Sequence, residues 1–146
     1  MRKREVKVSK QKIIFLKGLP ASGKSTWSKQ YCIDNPEFVR INKDELRIQI
    51  GSPTYSSTIE NGIIGIQREM GNLILKTGKS LIVDDTNFAK KHEEYWRMVA
   101  DMNSVDFEIK FFDVPCEECV KRDKLRENSV GPMVIRTMNK NHIKNE

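Results

Sequence analysis

The sequence predicts an α/β domain: about four parallel strands with helices on both faces and a helical lid. Three observations carry this. Short β-rich apolar runs alternate with helical patterns along the chain, the order expected when helical crossovers join parallel strands. The first run passes through a glycine-flanked turn directly into a helical pattern. The 146 residues contain no fixed-period repeat and no low-complexity linker, which suits one domain, long enough to bury a core and short for two.

Residues 1–10 (MRKREVKVSK) read as a solvated basic arm. IIFLK at 13–17 is the first strand, followed by GLPASGKST at 18–26 and a helix over about 24–33. FVRIN at 38–42 is the second strand, and helices over about 44–50 and 59–77 follow it, Gly78 ending the latter. SLIVDD at 80–85 is the third strand, leading to a helix over about 90–103. FEIKFFDV at 107–114 is the fourth. Helices over about 116–127 and 133–143 complete the chain, with Pro132 in the first turn of the last. Such a sheet places ligands at the carboxyl ends of its strands, where the chemically suggestive residues gather.

Composition narrows the class. The chain is 38% hydrophobic and 32% charged, and no apolar run approaches the ~20 residues needed to cross a bilayer. IIFL is too short for a signal-peptide core, so a cytoplasmic location is expected. The net charge of +6 and pI of about 9.3 would attract polyanions such as nucleic acid, although lysine-rich surfaces also serve solubility alone. Cys32, Cys116 and Cys119 are odd in number and do not describe a disulfide framework. The Cys116/Cys119 pair lacks a second ligand pair for structural zinc and falls in an amphipathic helical pattern, so the three read as reduced packing residues.

Gly18 through Gly23, with Ala21 and Ser22 between them, fit a phosphate-binding loop: glycine, any four residues, glycine, lysine, serine or threonine. The backbone N–H groups can wrap donor phosphates, helped by the positive end of the following helix. Lys24 would reach the β- and γ-phosphates and the Ser25 hydroxyl would ligate Mg²⁺. Thr26 either joins them or supports the helix start. The third strand ends in two carboxylates, Asp84 and Asp85, one of which suits the strand-end aspartate that helps to hold Mg²⁺ in phosphate-loop enzymes. Successive strand residues point to opposite sides, so the two have different jobs, and periodicity does not choose between them.

Two further constellations bear on the fate of the phosphate. Asp44 and Arg47 stand three apart at a helix start and share a face. The carboxylate could take a proton from an incoming hydroxyl and the arginine could hold an anionic part of the acceptor; the bland alternative is an N-cap with a surface ion pair. Arg122 and Arg126, with Lys121 and Lys124, form a cationic segment suited to a lid over ATP, or else a solvated face.

Taken in order, Gly18–Thr26 with Trp27, Ile41-Asn42-Lys43-Asp44 with Arg47, Asp84-Asp85-Thr86-Asn87, Phe112-Asp113-Val114-Pro115, and Val120-Lys121-Arg122 with Arg126 resemble the kinase domain of the phage-type 5′-polynucleotide kinases. The resemblance runs from about residue 12 to 140. It implies ATP-dependent, Mg²⁺-dependent phosphorylation of 5′-hydroxyl ends of DNA or RNA, in the host cytoplasm if phage-encoded. It also implies donor-phosphate binding by Lys24 and Ser25, Asp44 as general base and Arg47 on the acceptor phosphate. Asp85 would be the essential strand-end aspartate and metal partner of Ser25, and Thr86 and Asn87 would lie beside the acceptor. Arg126 would sit on the phosphates and Arg122 nearer the nucleotide. Asp84 departs from the family's usual small residue, and Gly131 from the apolar residue expected before Pro132. No D-x-D phosphatase motif is present, so a separate phosphatase and a nucleic-acid ligase are expected partners. Two other readings stand beside this one: a small-molecule (sugar, antibiotic or nucleoside) kinase, and a nucleotide-dependent nucleic-acid-binding module.

Overall fold

A computed structural model describes residues 10–51 and 56–143; apart from Lys10, the expected basic arm lies outside them. The elements are β1 (Lys12–Gly18), α1 (Lys24–Asp34), β2 (Phe38–Ile41), α2 (Lys43–Gln49), α3 (Ser57–Lys76), β3 (Ser80–Val83), α4 (Lys90–Asn103), β4 (Asp106–Phe112), α5 (Cys116–Asp123) and α6 (Pro132–His142). All strand pairings are parallel and the order is β2-β3-β1-β4, so β1 and β3 are the central strands.

Side chains alternate across β1, as the period of two requires. Ile13 and Phe15 join Leu81, Val83, Leu75, Trp96, Val99 and Ala100, a cluster supplied by β3, α3 and α4. Ile14 and Leu16 join Phe38 and Ile82 on the other face, against Trp27, Tyr31 and Cys32 of α1. The sheet is therefore covered on both sides. A third cluster, Leu19, Cys119, Val120 and Ile135, seats α5 and α6 over the turn that follows β1.

Element ends differ from expectation at two informative places. β3 stops at Val83, and the Asp84 N–H makes a last bond to the Ile41 carbonyl at 3.0 Å. Both aspartates thus lie just beyond the strand. α5 stops at Asp123 instead of running on to 127. The buried Asp123 carboxylate accepts from Arg126 Nη2 (2.6 Å), Ser129 Oγ (2.8 Å), Val130 N (3.2 Å) and Gly131 N (3.0 Å). A side chain that collects the N–H groups of the next turn replaces helical continuation. Gly131, at φ 91, then turns the chain into α6 with Pro132 in its first turn.

Two predictions follow from this packing. A Cβ at Gly71 would lie 2.4 and 2.7 Å from Trp96 ring atoms, whereas one at Gly62 meets nothing within 4 Å. Urea unfolding should show Gly71→Ala destabilised by about 1–3 kcal/mol and Gly62→Ala neutral or stabilised by up to about 1 kcal/mol. Burial alone would raise the Asp123 pKa, but the hydrogen bonds from Arg126, Ser129, Val130 and Gly131 outweigh it and hold the group down at about 2. Because the folded value lies below the unfolded 3.8, this contribution is complete above pH 4 and is lost as pH falls towards 2. Asp123→Asn should cost about 1–3 kcal/mol at pH 7, with the gap to wild type closing in urea titrations between pH 4 and 2.

Candidate active site

The turn after β1 is shaped by two left-handed residues, Ala21 (φ 63) and Gly23 (φ 97), a conformation that turns successive N–H groups inward and costs a non-glycine residue about 1–3 kcal/mol. Gly18 must be small: a Cβ there would lie 2.9 Å from Ser22 Oγ and 3.0 Å from Phe112 Cβ. Lys24 opens α1 with its side chain buried, and its ammonium donates to Gly18 O (2.9 Å), Leu19 O (2.7 Å) and Ser22 Oγ (3.3 Å). Burial pulls its pKa down to about 8, against the opposing charges of Asp84 and Asp85, and the Arg126 charge adds to the fall. A bound phosphate would give the ammonium an anionic partner in exchange for neutral carbonyls. Ser25 and Thr26 are exposed at the first turn of α1.

Asp84 and Asp85 diverge. Asp84, 1% exposed, turns to the phosphate loop. Its Oδ2 accepts from Ser25 Oγ (3.0 Å), Ser28 Oγ (3.0 Å) and Arg40 Nε (2.6 Å). Its Oδ1 is buried with no hydrogen-bond partner among the described residues. Asp85 turns the other way: Oδ1 accepts from the Lys43 N–H (2.9 Å) and Oδ2 from Gln67 Nε2 (2.8 Å). Burial pushes its pKa up to about 6, against Lys43 and Gln67. The expected pairing of Asp85 with Ser25 is not the one formed: Asp84 holds that hydroxyl, while Asp85 Oδ1 serves the start of α2 and Oδ2 is taken by Gln67 of α3. A hard divalent cation such as Mg²⁺ prefers oxygen donors, and Ser25 Oγ, bonded to a carboxylate whose Oδ1 is unpaired among the described residues, offers such a set.

Across the site, Asn42 is the N-cap of α2. Its Oδ1 accepts from the Glu45 N–H at 2.9 Å, and its Nδ2 donates to the Asp84 carbonyl at 2.6 Å. Asp44 is thereby relieved of capping. Its side chain is 82% exposed and paired with Arg47 Nη1. Arg47 is buried, with Nε and Nη2 on Glu60 of α3 at 3.1 and 2.9 Å, and Lys43 Nζ stands 3.6 Å from the same carboxylate. His92 is pushed down to about 4, first by burial and then by Lys43, Lys91 and Arg68. It is neutral at pH 7 and reports a cationic field around this corner.

The remaining candidates separate into framework and lid. Asn87, at φ 55, is buried and donates to Leu16 O (2.7 Å) and Val83 O (3.3 Å), bracketing the two central strands. Its amide nitrogen thus serves as a strut between those strands. The Thr86 carbonyl accepts from the Gly18 N–H at 3.2 Å. Arg126, fixed to Asp123, lies close enough for its charge to act on Lys24. Arg122 pairs with Glu118 at 3.0 Å on an exposed face of α5.

Sequence reasoning missed Arg40, Glu60, Gln67 and Asp123. A charged residue in the short β2 next to a surplus carboxylate after β3 was the available signal for the Arg40–Asp84 pair. Glu60 and Gln67 carried none, being ordinary polar positions on a long helix.

A family model described as an AAA domain (AAA_33) matches residues 13–142. A bifunctional polynucleotide kinase/RNA ligase of Autographa californica nuclear polyhedrosis virus is 24% identical over 93% of this chain, which spans 21% of that protein. Two structures of the Pnkp1/Rnl/Hen1 complex, one titled an RNA repair complex, are similar. One has a TM-score of 0.77 and 26% identity over 93% of this chain and 45% of the other; the second has 0.69 and 31% over 77% and 39%. The chain thus spans a fifth to under half the length of these relatives. The Mycobacterium tuberculosis APS kinase CysC, with AMPPNP and APS, shares the fold at a TM-score of 0.60 and 21% identity over 78% of this chain and 69% of that one. The family match runs from β1 into α6, and by it this chain belongs to the AAA domain family AAA_33, folded as phosphate-loop kinases are.

Proposed function

We propose that the chain is a kinase that transfers the γ-phosphate of ATP to the 5′-hydroxyl end of DNA or RNA. The observation that carries this reading is the two-sided site at the strand ends. A phosphate loop with Lys24 lies on one side, and an exposed carboxylate, Asp44, paired with the buried Arg47 lies on the other. The similarity to a polynucleotide kinase/RNA ligase and to Pnkp1 complexes supports a nucleic-acid acceptor and action alongside an end-joining ligase.

In this mechanism the loop N–H groups and Lys24 hold the donor phosphates, and Arg126 offsets charge on the transferring group. Arg47 orients an acceptor phosphate. Asp44 takes the proton of the acceptor hydroxyl as that oxygen bonds to the γ-phosphorus and the bond to the ADP oxygen breaks. Ser25 and Asp84 are the residues that would hold Mg²⁺, which when bound neutralises phosphate charge. Asp85 positions α2, and with it Asp44, through the Lys43 N–H. Catalysis is positioning plus charge stabilisation, with no covalent intermediate.

The test is transfer of labelled γ-phosphate from ATP with Mg²⁺ to DNA and RNA oligonucleotides with 5′-hydroxyl ends, and to 5′-phosphorylated controls. Label is expected on the 5′-hydroxyl oligonucleotides alone; transfer only to small-molecule acceptors, or to none, would overturn the acceptor. Lys24→Ala and Arg126→Ala should each lower kcat by about 10²-fold or more. Asp44→Asn should lower it by about 10²–10⁴-fold while oligonucleotide affinity stays within about twofold of wild type. Wild-type turnover by Asp44→Asn, with chemistry rate-limiting, would remove the base assignment.

A further inference from the structure

The contacts of Arg40 go beyond those of a structural ion pair. It comes from β2, its side chain is 10% exposed, and its guanidinium reaches three elements. Nε lies 2.6 Å from Asp84 Oδ2 and 3.0 Å from Ser28 Oγ, Nη2 lies 3.2 Å from Ser25 Oγ, and Nη1 lies 2.8 Å from Glu45 Oε2 on α2. The hydroxyl and the carboxylate that would serve a divalent cation are thus the same two groups that hold this fixed positive charge. An arginine guanidinium is charged at every working pH, so the site carries this cation throughout.

A cation ligated by Ser25 meets that charge at close range. Like charges at such a distance repel by several kcal/mol even at an effective dielectric of about 20. Two features give the guanidinium somewhere to go. Glu45 is half-exposed and already in contact, with Lys29 Nζ at 3.6 Å as its other partner. A cavity of about 120 Å³, lined by Arg40, Asn42, Glu45, Gln49 and Gln67 among others, opens beside it.

We propose that Arg40 is a resident counter-cation of the metal site. It neutralises Asp84 while no metal is bound, suppresses binding of a free divalent cation, and yields the Ser25 hydroxyl by shifting onto Glu45 when the cation arrives with nucleotide phosphates. The negative charge of those phosphates offsets the guanidinium, so the cation enters as a metal–nucleotide pair and not ahead of the nucleotide. Arg40 is a positioning residue in this scheme, and because Glu45 lies on α2 beside Asp44, its shift links filling of the donor side to the acceptor helix. The inference rests on the reading of Ser25 and Asp84 as the cation site.

The experiment is Mn²⁺ binding to the full chain, followed by electron paramagnetic resonance of the free ion, without nucleotide and with a non-hydrolysable ATP analogue. Arg40→Gln should bind Mn²⁺ at least about tenfold more tightly than wild type without nucleotide, a conservative share of the Coulomb repulsion, and the gap should narrow once the analogue is present. Unchanged or weaker binding by a folded Arg40→Gln would overturn the proposal. If that variant does not fold, Glu45→Gln decides. Deprived of its second anchor, Arg40 should hold Asp84 more firmly and weaken Mn²⁺ binding by about threefold or more, and an unchanged affinity there overturns the proposal. Asp84→Asn separates the two levels: if it leaves Mn²⁺–analogue binding intact, the cation site itself is wrong and the inference goes with it.

Discussion

Asp84, 1% exposed at the carboxyl end of a central strand, must be neutralised in place. An uncompensated buried charge costs about 3–5 kcal/mol when one partner of a pair is removed. The chain meets that demand with donors from two other elements, Ser25 and Ser28 of α1 and Arg40 of β2. Through Arg40 the network extends to Glu45 and so to α2. Helix α1 is therefore registered against the end of β3 by Asp84, and α2 against β2 by Glu45 on the same arginine. The phosphate loop inherits its position from that registration, because Ser25 follows Lys24 directly.

The same strand end divides the site in two. Once β3 releases the chain after Val83, consecutive carboxylates face opposite ways, Asp84 to the loop and Asp85 to the start of α2. What each meets follows from neighbours distant in sequence. A single peptide unit thereby joins the phosphate-loop contact to the α2 contact, and Asn42 bonds the carbonyl of Asp84 while capping α2.

Much of this was legible in the sequence because it is local. The four strands, the loop and its lysine, Gly78 after α3 and Pro132 at the head of α6 are set by periodicity, turn chemistry and fixed dihedrals, and each lies within a residue or two of expectation where described. What was not legible depends on tertiary meetings. No pattern distinguishes Asp84 from Asp85 until β2 supplies Arg40 and α3 supplies Gln67. Glu60 becomes the partner of Arg47 only when α3 packs beside α2. Asn87 sits in a motif that suggests ligand contact, yet its amide is consumed by the carbonyls of Leu16 and Val83. The end of α5 likewise depended on a carboxylate that folds back on its own successor turn.

Leu19 belongs to the phosphate loop by sequence and to the α5–α6 cluster by packing. Its carbonyl is also the nearest acceptor of the Lys24 ammonium, at 2.7 Å. Swinging α5 away as a rigid flap would expose Leu19, sacrificing about 1.5–3 kcal/mol of burial. The connection between α5 and α6, residues 124–131, carries Arg126 and is tied back to Asp123, so this strap and the two helices it joins are seated by separate means, hydrogen bonds for the one and burial for the others.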